Sequence, residues 1–461
     1  MAINGAGVTA LILAAGAGTR MKSERPKVVH KILGTPMIAL VVDTAQSAGC
    51  ERVLAIVGHK SEEVAAVLPD SVECVHQPER LGTANAVAVA ADALRGVEGY
   101  LLVMCGDMPL LRPETLRQLI EVCQGRSMAV LTARVENPSG YGRVVRDYTG
   151  AIVGIVEDKD ASPSELGIRE VNTGIYCFAL DGLFERLARI GCDNAQGEYY
   201  LTDMVKVCCA EEGVRVTSLQ LTDPEEAHGV NSRSQLAAAG LILQRRINEH
   251  WMDEGVSIVA PDMTWISPDC ELENDIEILP NTLLAGGTRV ARGSRIGPNT
   301  QLYGVQVGAE CVVEDSIAYD SVMGKRCVIG PWSYLRPGVV LADEVKVGAS
   351  VEVKKSTVGR GSKVPHLSYV GDTTIGEGVN VGAGTITCNY DGYKKSPTVI
   401  EDRVFIGSDT MLVAPVTLGA DAITAAGSVI TEDVPADALA LGRARQTNKE
   451  GWVSKHKPKE K

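Results

Sequence analysis

The stretch Leu284-Ala285-Gly286-Gly287-Thr288-Arg289-Val290-Ala291-Arg292-Gly293-Ser294-Arg295-Ile296-Gly297-Pro298-Asn299-Thr300-Gln301-Leu302 carries an aliphatic side chain at Leu284, Val290, Ile296 and Leu302, a spacing of six. That spacing reaches back through Ile278, Leu272 and Ile266, and after a slip it resumes at Ile317, Met323, Ile329, Leu335, Leu341, Val347 and Val353. Shorter registers follow at Val358, Val364 and Val370, at Ile375 and Val381, and at Ile400, Ile406, Leu412, Leu418, Thr424 and Ile430. A helix face recurs about every 3.6 residues and a strand face every 2, so neither produces this pattern. A parallel β-helix of hexapeptide repeats does, because one aliphatic points inward from each flat side and a small residue turns the corner. Glycine follows the aliphatic at Ile296-Gly297, Ile329-Gly330, Val347-Gly348 and Ile406-Gly407. Ordinary sandwich strands would keep this register only by accident. The segment from Asn389 to Pro397 interrupts it and is expected to project as a loop.

Such a scaffold accounts for a composition of 3 Phe and 4 Trp against 48 Gly in 461 residues. A chain of that length is expected to form two or three domains. With 45% hydrophobic and 22% charged residues it is an ordinary soluble globular sequence, not a disordered or collagen-like one. The net charge of −13 offers no general attraction for nucleic acid or anionic membrane, so neither partner is expected and any phosphate site must be local. The apolar start Val8 to Ala15 leads into Gly-rich sequence with no basic residue before Arg20, unlike a signal peptide. The expected location is the cytoplasm. The 12 Cys include no C-x-x-C, and Cys208-Cys209 sit in an apolar run, which reads as reduced structural thiols rather than disulfides or zinc ligands.

Ahead of the coil, the apolar runs Val8 to Leu13, Val53 to Val57, Tyr100 to Met104, Ala129 to Thr132 and Gly174 to Phe178 read as buried strands, each followed by a turn and a polar or periodic segment. That alternation implies an α/β, Rossmann-like domain on a mostly parallel sheet, with ligands at the carboxyl ends of the strands. The expected domains are 1–231, a linker helix over 232–252, the coil over 253–445, and a basic tail over 446–461 without ordered structure, whose Lys455, Lys457, Lys459 and Lys461 form a charge run.

The first strand runs into Leu13-Ala14-Ala15-Gly16-Ala17-Gly18-Thr19-Arg20-Met21, with Pro26-Lys27 close behind. Small residues let backbone N–H groups approach a phosphate chain, and Arg20 and Lys27 offset its charge. Neither a third dinucleotide-type glycine nor a P-loop Gly-Lys-Ser/Thr is present. Alone, the Gly-rich turn is as well read as structural; the basic residues tilt it toward phosphate. Asp107, in Gly106-Asp107-Met108-Pro109 at the end of a strand, stands where a divalent ion bridging phosphates would be held, or else caps a helix. Gln77, Leu81-Gly82-Thr83, Tyr141-Gly142, Glu157, Asn172-Thr173-Gly174 and Val230-Asn231 supply polar groups suited to a base edge and sugar hydroxyls. In the coil, His366 within Lys363-Val364-Pro365-His366-Leu367-Ser368-Tyr369 is the side chain best poised for proton transfer near neutral pH, although a lone His is more often a bystander.

The runs L-A-A-G-A-G-T-R-M with P-K, L-G-T-A, G-D-M-P, Y-G-R, V-N-T-G and G-V-N before a linking helix, joined to a hexapeptide coil, resemble the bacterial bifunctional GlmU family over nearly the whole chain. That resemblance implies an N-terminal nucleotidyltransferase domain and a left-handed coil with acetyltransferase activity. It implies that Leu13, Ala14, Ala15, Gly16, Gln77, Gly82 and Thr83 bind uridine, that Gly142, Glu157 and Asn172 hold the sugar, that Asp107 and Asn231 bind Mg²⁺, and that Arg20 and Lys27 handle the triphosphate of UTP. In the coil it implies His366 as general base, Arg336, Lys354, Tyr369, Asn380 and Lys395 around glucosamine 1-phosphate, and Ala383, Asn389, Tyr390, Ser408, Ala426 and Arg443 around acetyl-CoA. Lys395 rather than Lys394 is aligned with the phosphate contact by way of Asp391-Gly392. Ala17 and Cys105 depart from the family, standing where many members carry a basic residue and some carry Tyr.

The implied chemistry is acetyl transfer to glucosamine 1-phosphate, without an acyl-enzyme and with Cys388 as bystander, then uridylyl transfer to N-acetylglucosamine 1-phosphate with release of pyrophosphate. The resemblance also implies a homotrimer with the acetyl-transfer site between neighbouring chains. A nucleotidyltransferase whose coil only assembles would lack His366, Asn389 and Lys395. A dual enzyme for other sugars would differ around Glu157 and Asn172, and a mere scaffold would turn over no acetyl-CoA.

Overall fold

The computed structural model describes residues 7–16 and 18–457; Ala17 and the tail residues Lys459 and Lys461 lie outside the described residues. The chain forms two compact units that divide between Leu243 and Gln244, inside a helix Arg233–Asp253 where the linker was expected.

The first unit is built on strands β1 (Val8–Leu13), β2 (Arg52–Val57), β3 (Val72–His76), β4 (Tyr100–Cys105), β5 (Met128–Arg134), β6 (Arg143–Arg146), β7 (Ile152–Val156), β8 (Glu170–Ala179) and β9 (Val216–Gln220). The central sheet runs in the order β9-β5-β8-β4-β1-β2-β3, with β6 and β7 as a hairpin off β8. Its inner strands are apolar on both faces because helices cover both: Ala10 and Ile12 join one buried layer and Leu11 the other. The helix Pro113–Cys123 shows how a covering element is encoded. Proline is at home in its first turn, and Leu116, Leu119, Ile120 and Cys123 share one buried face. Within this central sheet all pairings are parallel except those of β8 and of the β6–β7 hairpin, since β8 runs antiparallel to both β4 and β5; Lys31–Ile32 and Thr35–Pro36 form a separate antiparallel pair.

The second unit is the expected coil. Its strands fall into three parallel sheets of 11, 10 and 9 strands, in which neighbours are the third strand onward in the chain, except that Ile423–Thr424 pairs with Leu439–Ala440, the second onward, so three short strands make one turn. The inward column is aliphatic and closely buried, as at Ile296, Leu302, Ile329, Leu335, Val347, Val353 and Ile406. At one position the register differs from the six-residue reading. Ile317 is 37% exposed and Ala318, at 1%, points inward. Between Leu302 and Met323 the inward residues are Leu302, Val307, Val313, Ala318 and Met323, so three of the four sides are five residues long and a strict count of six loses step. Buried Ser and Thr hydroxyls tie the corners to nearby carbonyls, as Thr282 Oγ1 to Leu279 O at 2.7 Å and Ser356 Oγ to Lys354 O at 2.8 Å. Where the 389–397 loop leaves, Thr387 fills the inward slot and the register resumes at Thr398–Ile400. In the tail, expected to lack order, Trp452–His456 form a short exposed helix.

Candidate active sites

Parallel pairing brings the carboxyl end of β1 level with those of its neighbours: Leu13 faces Ile56 on β2 and Cys105 on β4. The loops that leave these strands enclose a cavity of about 250 Å³ lined by Leu13, Ala14, Ala15, Gly16, Lys27, Gln77, Gly82, Thr83 and Asp107. Two glycines are needed for its shape. A Cβ on Gly18 would stand 2.6 Å from Lys27 Cβ, so glycine lets the lysine stem pass. Gly82 has φ +115°, and a Cβ there would lie 2.5 Å from Tyr199 O, where the chain crosses closely. Gln77 is buried and donates from Nε2 to Asn85 Oδ1 at 2.7 Å. Burial, with Asp107 nearby, pushes the Cys105 thiol up to about 12, so it is a neutral wall of the cavity.

The Lys27 ammonium donates to Asp107 Oδ2 and, at 2.8 Å, to Asn231 Oδ1. The two oxygens expected to bind a divalent ion thus converge on one cationic point. A carboxylate and an amide oxygen are hard donors of the kind Mg²⁺ accepts alongside substrate phosphates, so the donor set fits. Among the described residues no group of three or more His, Cys, Asp or Glu could hold a metal by itself.

The expected sugar-binding residues form a second group beside this cavity. Asn172 N donates to Gly142 O at 2.8 Å, Asn172 Nδ2 donates to Tyr176 OH at 2.7 Å, and Glu157 Oε1 accepts from Thr202 Oγ1 at 3.1 Å. Burial raises the Glu157 pKa, and Asp160, Asp203 and Asp158 raise it further. A Cβ on Gly142 would lie 3.0 Å from Ile155 Cγ2 and 3.5 Å from the Glu157 carboxylate, so glycine lets this turn pack closely against β7. Arg20 is exposed on the short helix Thr19–Met21 and does not line the cavity.

In the coil the expected residues gather along two edges. Val364, Val381, Ile406 and Thr424 are stacked inward residues, and two positions beyond each come His366, Ala383, Ser408 and Ala426, aligned on one edge. Asp409 N donates to Ala383 O at 2.7 Å and Gly427 N to Ser408 O at 2.8 Å, which fixes that alignment. Arg443 lies beside Gly427 at the end of this column. Asn380 faces outward next to Lys363 and Phe405 on the adjoining sheet.

The other edge carries Arg336, Lys354 and Asn389, following the inward residues Leu335, Val353 and Thr387. Arg336 pairs with Glu352 at 3.0 Å, and Lys354 with Asp372 at 3.3 Å. Asn389 is buried, and its Nδ2 donates to Asp372 Oδ2 at 2.5 Å. The neighbouring Lys395 amine raises the Lys354 pKa, with Asp372 adding to the rise, and Lys395 is lowered in turn by Lys354. Tyr390 and Lys395 are bridged across the 389–397 loop, which projects with Tyr393 fully outside. Tyr369 lies on the sheet between the two edges.

Known proteins divide the chain in the same way. The MobA-like NTP transferase domain family matches residues 10–197, the GMPPB C-terminal domain family residues 260–358, and the bacterial transferase hexapeptide (six repeats) family residues 397–432. The Bifunctional protein GlmU of Pelobacter propionicus is 48% identical over 98% of this chain and 99% of its own length. This chain belongs to the bifunctional GlmU family. The GlmU proteins of Halalkalibacterium halodurans, 46% identical, and Heliobacterium modesticaldum, 48% identical, each cover 97% of this chain and 98% of their own length. As a GlmU chain it is an enzyme, a transferase with a nucleotidyltransferase unit ahead of an acyltransferase coil.

Several GlmU-site residues escape a reading of the sequence. Arg80 and Glu198 line the strand-end cavity, Thr202 bonds Glu157, and Asp372 binds two residues of the coil edge. Arg80 stood next to a recognised run, Leu81-Gly82-Thr83. The others had no local signal.

Proposed function

We propose that the chain makes UDP-N-acetylglucosamine in two steps, acetyl transfer from acetyl-CoA to glucosamine 1-phosphate in the coil and uridylyl transfer from UTP in the first unit. The observation that carries the reading is that two separate polar constellations coexist on one GlmU-family chain: a cavity of about 250 Å³ with Lys27 and Asp107 at strand ends, and an edge of the coil that gathers Lys354, Lys395 and Asn389 around Asp372.

In the coil, His366 takes the proton from the sugar's 2-amino group as its nitrogen attacks the thioester carbonyl, and the thiolate of CoA leaves. Asn389 donates to the developing oxyanion, while Arg336, Lys354 and Lys395 hold the phosphate and Tyr369 and Asn380 border the sugar. Ala383, Tyr390, Ser408, Ala426 and Arg443 form the acetyl-CoA track; the column from His366 to Ala426 supports an extended ligand lying along one edge. Arg336 and Lys354 on the other edge support a homotrimer in which each site draws on two chains.

In the first unit, Leu13, Ala14, Ala15, Gly16, Gln77, Gly82 and Thr83 seat the uridine nucleotide, and Gly142, Glu157 and Asn172 hold N-acetylglucosamine 1-phosphate. The sugar's phosphate oxygen attacks the α-phosphorus in line and pyrophosphate departs, with Lys27 and Arg20 balancing the charge. Asp107 and Asn231 would hold Mg²⁺, which supplies positive charge shared among the phosphates. The reading places the enzyme in the cytoplasm. It is supported by twelve free cysteines.

Incubation with glucosamine 1-phosphate, acetyl-CoA, UTP and Mg²⁺, omitting one component at a time, tests the proposal. Omitting UTP should leave N-acetylglucosamine 1-phosphate, and omitting acetyl-CoA should leave no UDP-N-acetylglucosamine. Absence of CoA release, or of pyrophosphate, from the complete mixture overturns the corresponding half.

A further inference from the structure

The corner Gly371-Asp372 lies among the paired-lysine edge residues and carries a carboxylate that the proposed chemistry does not use. Asp372 Oδ2 accepts from Lys354 Nζ at 3.3 Å and from Asn389 Nδ2 at 2.5 Å. Its backbone is pinned as well, with φ +50°, its N–H donating to Lys354 O at 3.0 Å and its C=O accepting from Thr398 N at 3.3 Å, where the 389–397 loop returns to the coil. One carboxylate therefore joins the coil that bears Lys354 to the coil that bears Asn389.

The electrical arrangement points the same way. Lys354 and Lys395 are close enough to perturb one another, and Asp372 is the anion that acts on both. Two ammonium groups side by side repel, and an anion bonded to Lys354 offsets that repulsion while leaving net positive charge for a phosphate dianion. An amide nitrogen carries two hydrogens, so the Asn389 N–H on Asp372 fixes the plane from which the other N–H is presented. Gly371 makes room for this: a Cβ there would stand 2.5 Å from Tyr369 OH and 2.7 Å from Asn389 Nδ2.

We infer that Asp372 is a positioning residue for acetyl transfer to a phosphorylated amino sugar, its carboxylate holding Lys354 and Lys395 as a phosphate clamp and aiming the Asn389 amide. The inference rests on the acetyl-transfer reading of this edge. Asp372 touches no reacting atom; it acts through Lys354 and Asn389, which it bonds directly, and through Lys395 beside Lys354.

The test compares Asp372→Asn and Asp372→Glu in the full chain, with glucosamine 1-phosphate and with unphosphorylated glucosamine as acceptors, by CoA release. For Asp372→Asn the KM for glucosamine 1-phosphate should rise about tenfold, the size of one lost charge-assisted hydrogen bond, while the KM for acetyl-CoA stays put. Transfer to unphosphorylated glucosamine, which does not need the clamp, should show no KM change. Asp372→Glu keeps the charge and should return the KM for glucosamine 1-phosphate to within about threefold of the parent. An unchanged KM for the phosphorylated acceptor in Asp372→Asn, or an equal rise in KM with both acceptors, overturns the role. If Asp372→Asn does not fold, a KM for glucosamine 1-phosphate raised as strongly in a folded Asp372→Glu as in Lys354→Ala also overturns it, and one within about threefold supports it. Failure of the parent enzyme to acetylate glucosamine 1-phosphate at all would instead remove the function on which the inference stands.

Discussion

Equimolar His366→Ala and Lys354→Ala chains, dissociated together and allowed to reassemble, should regain acetyl transfer that neither has alone. His366 and Gly371, which follows Lys354 in its column, lie at opposite edges of one sheet and are five residues apart in sequence. At about 3.3 Å per residue their backbones are separated by up to roughly 16 Å. In the proposed three-fold assembly one edge of each prism would meet the other edge of its neighbour, and a site would take His366 from one chain and Lys354 from the next. After random mixing, a site is intact only when its His366 edge comes from a Lys354→Ala chain and its Lys354 edge from a His366→Ala chain. That combination occurs at about one interface in four, so recovery should approach about a quarter of the parent rate. CoA release with a thiol reagent measures it, with uridylyl transfer as the internal standard. No recovery above the separate variants, in mixtures shown to have exchanged subunits, would refute the two-chain site.

Asp107→Asn removes the carboxylate on which Lys27 rests, and pyrophosphate release should fall about a hundredfold or more while CoA release is unchanged. Because burial raises the Glu157 pKa, its carboxylate takes up a proton at a higher pH than an ordinary glutamate. As pH falls through that raised value, the KM for N-acetylglucosamine 1-phosphate in uridylyl transfer should climb, and Glu157→Gln should flatten the profile. The corrected register predicts a contrast in stability. Leu335→Ala, at a fully buried position, should cost about 2–5 kcal/mol in chemical unfolding of the coil. Ile317→Ala, on the outer face, should stay near ~0.5 kcal/mol; equal losses would contradict the inward assignment of Ala318.

The coil was legible because its repeat is long and its inward side chain uniform, so even a slip left the fold in view. What misled was size: Ile317 is the larger aliphatic and Ala318 the small one, and only the shortened sides turn Ala318 inward. In the first unit β1, β2, β4, β5 and β8 were visible as apolar runs, while the shorter or more exposed β3, β6, β7 and β9 were not bounded, and the direction of β8 was hidden because a strand buried on both faces reads the same either way. The seven residues expected to bind uridine all line one cavity, because they sit at or just beyond strand ends. The meeting of Lys27 with Asp107 and Asn231 could not be read, for their separations of 80 and 204 residues are closed only by the fold. Asp372 was hidden for a similar reason. An acidic residue after glycine looks like any turn until the next coil puts an amide against it.

Each coil hydrogen-bonds only to the one before and the one after, so successive turns are translated by about 4.8 Å, one strand spacing. A functional group at a given corner can therefore be displaced along the axis only in whole steps of that size. Material added at a corner, as between Asn389 and Pro397, leaves the steps on either side unaltered, since Ile375 still pairs with Ile400 across it. The prism thus behaves as a ruler, on which the length of an elongated ligand is measured in turns.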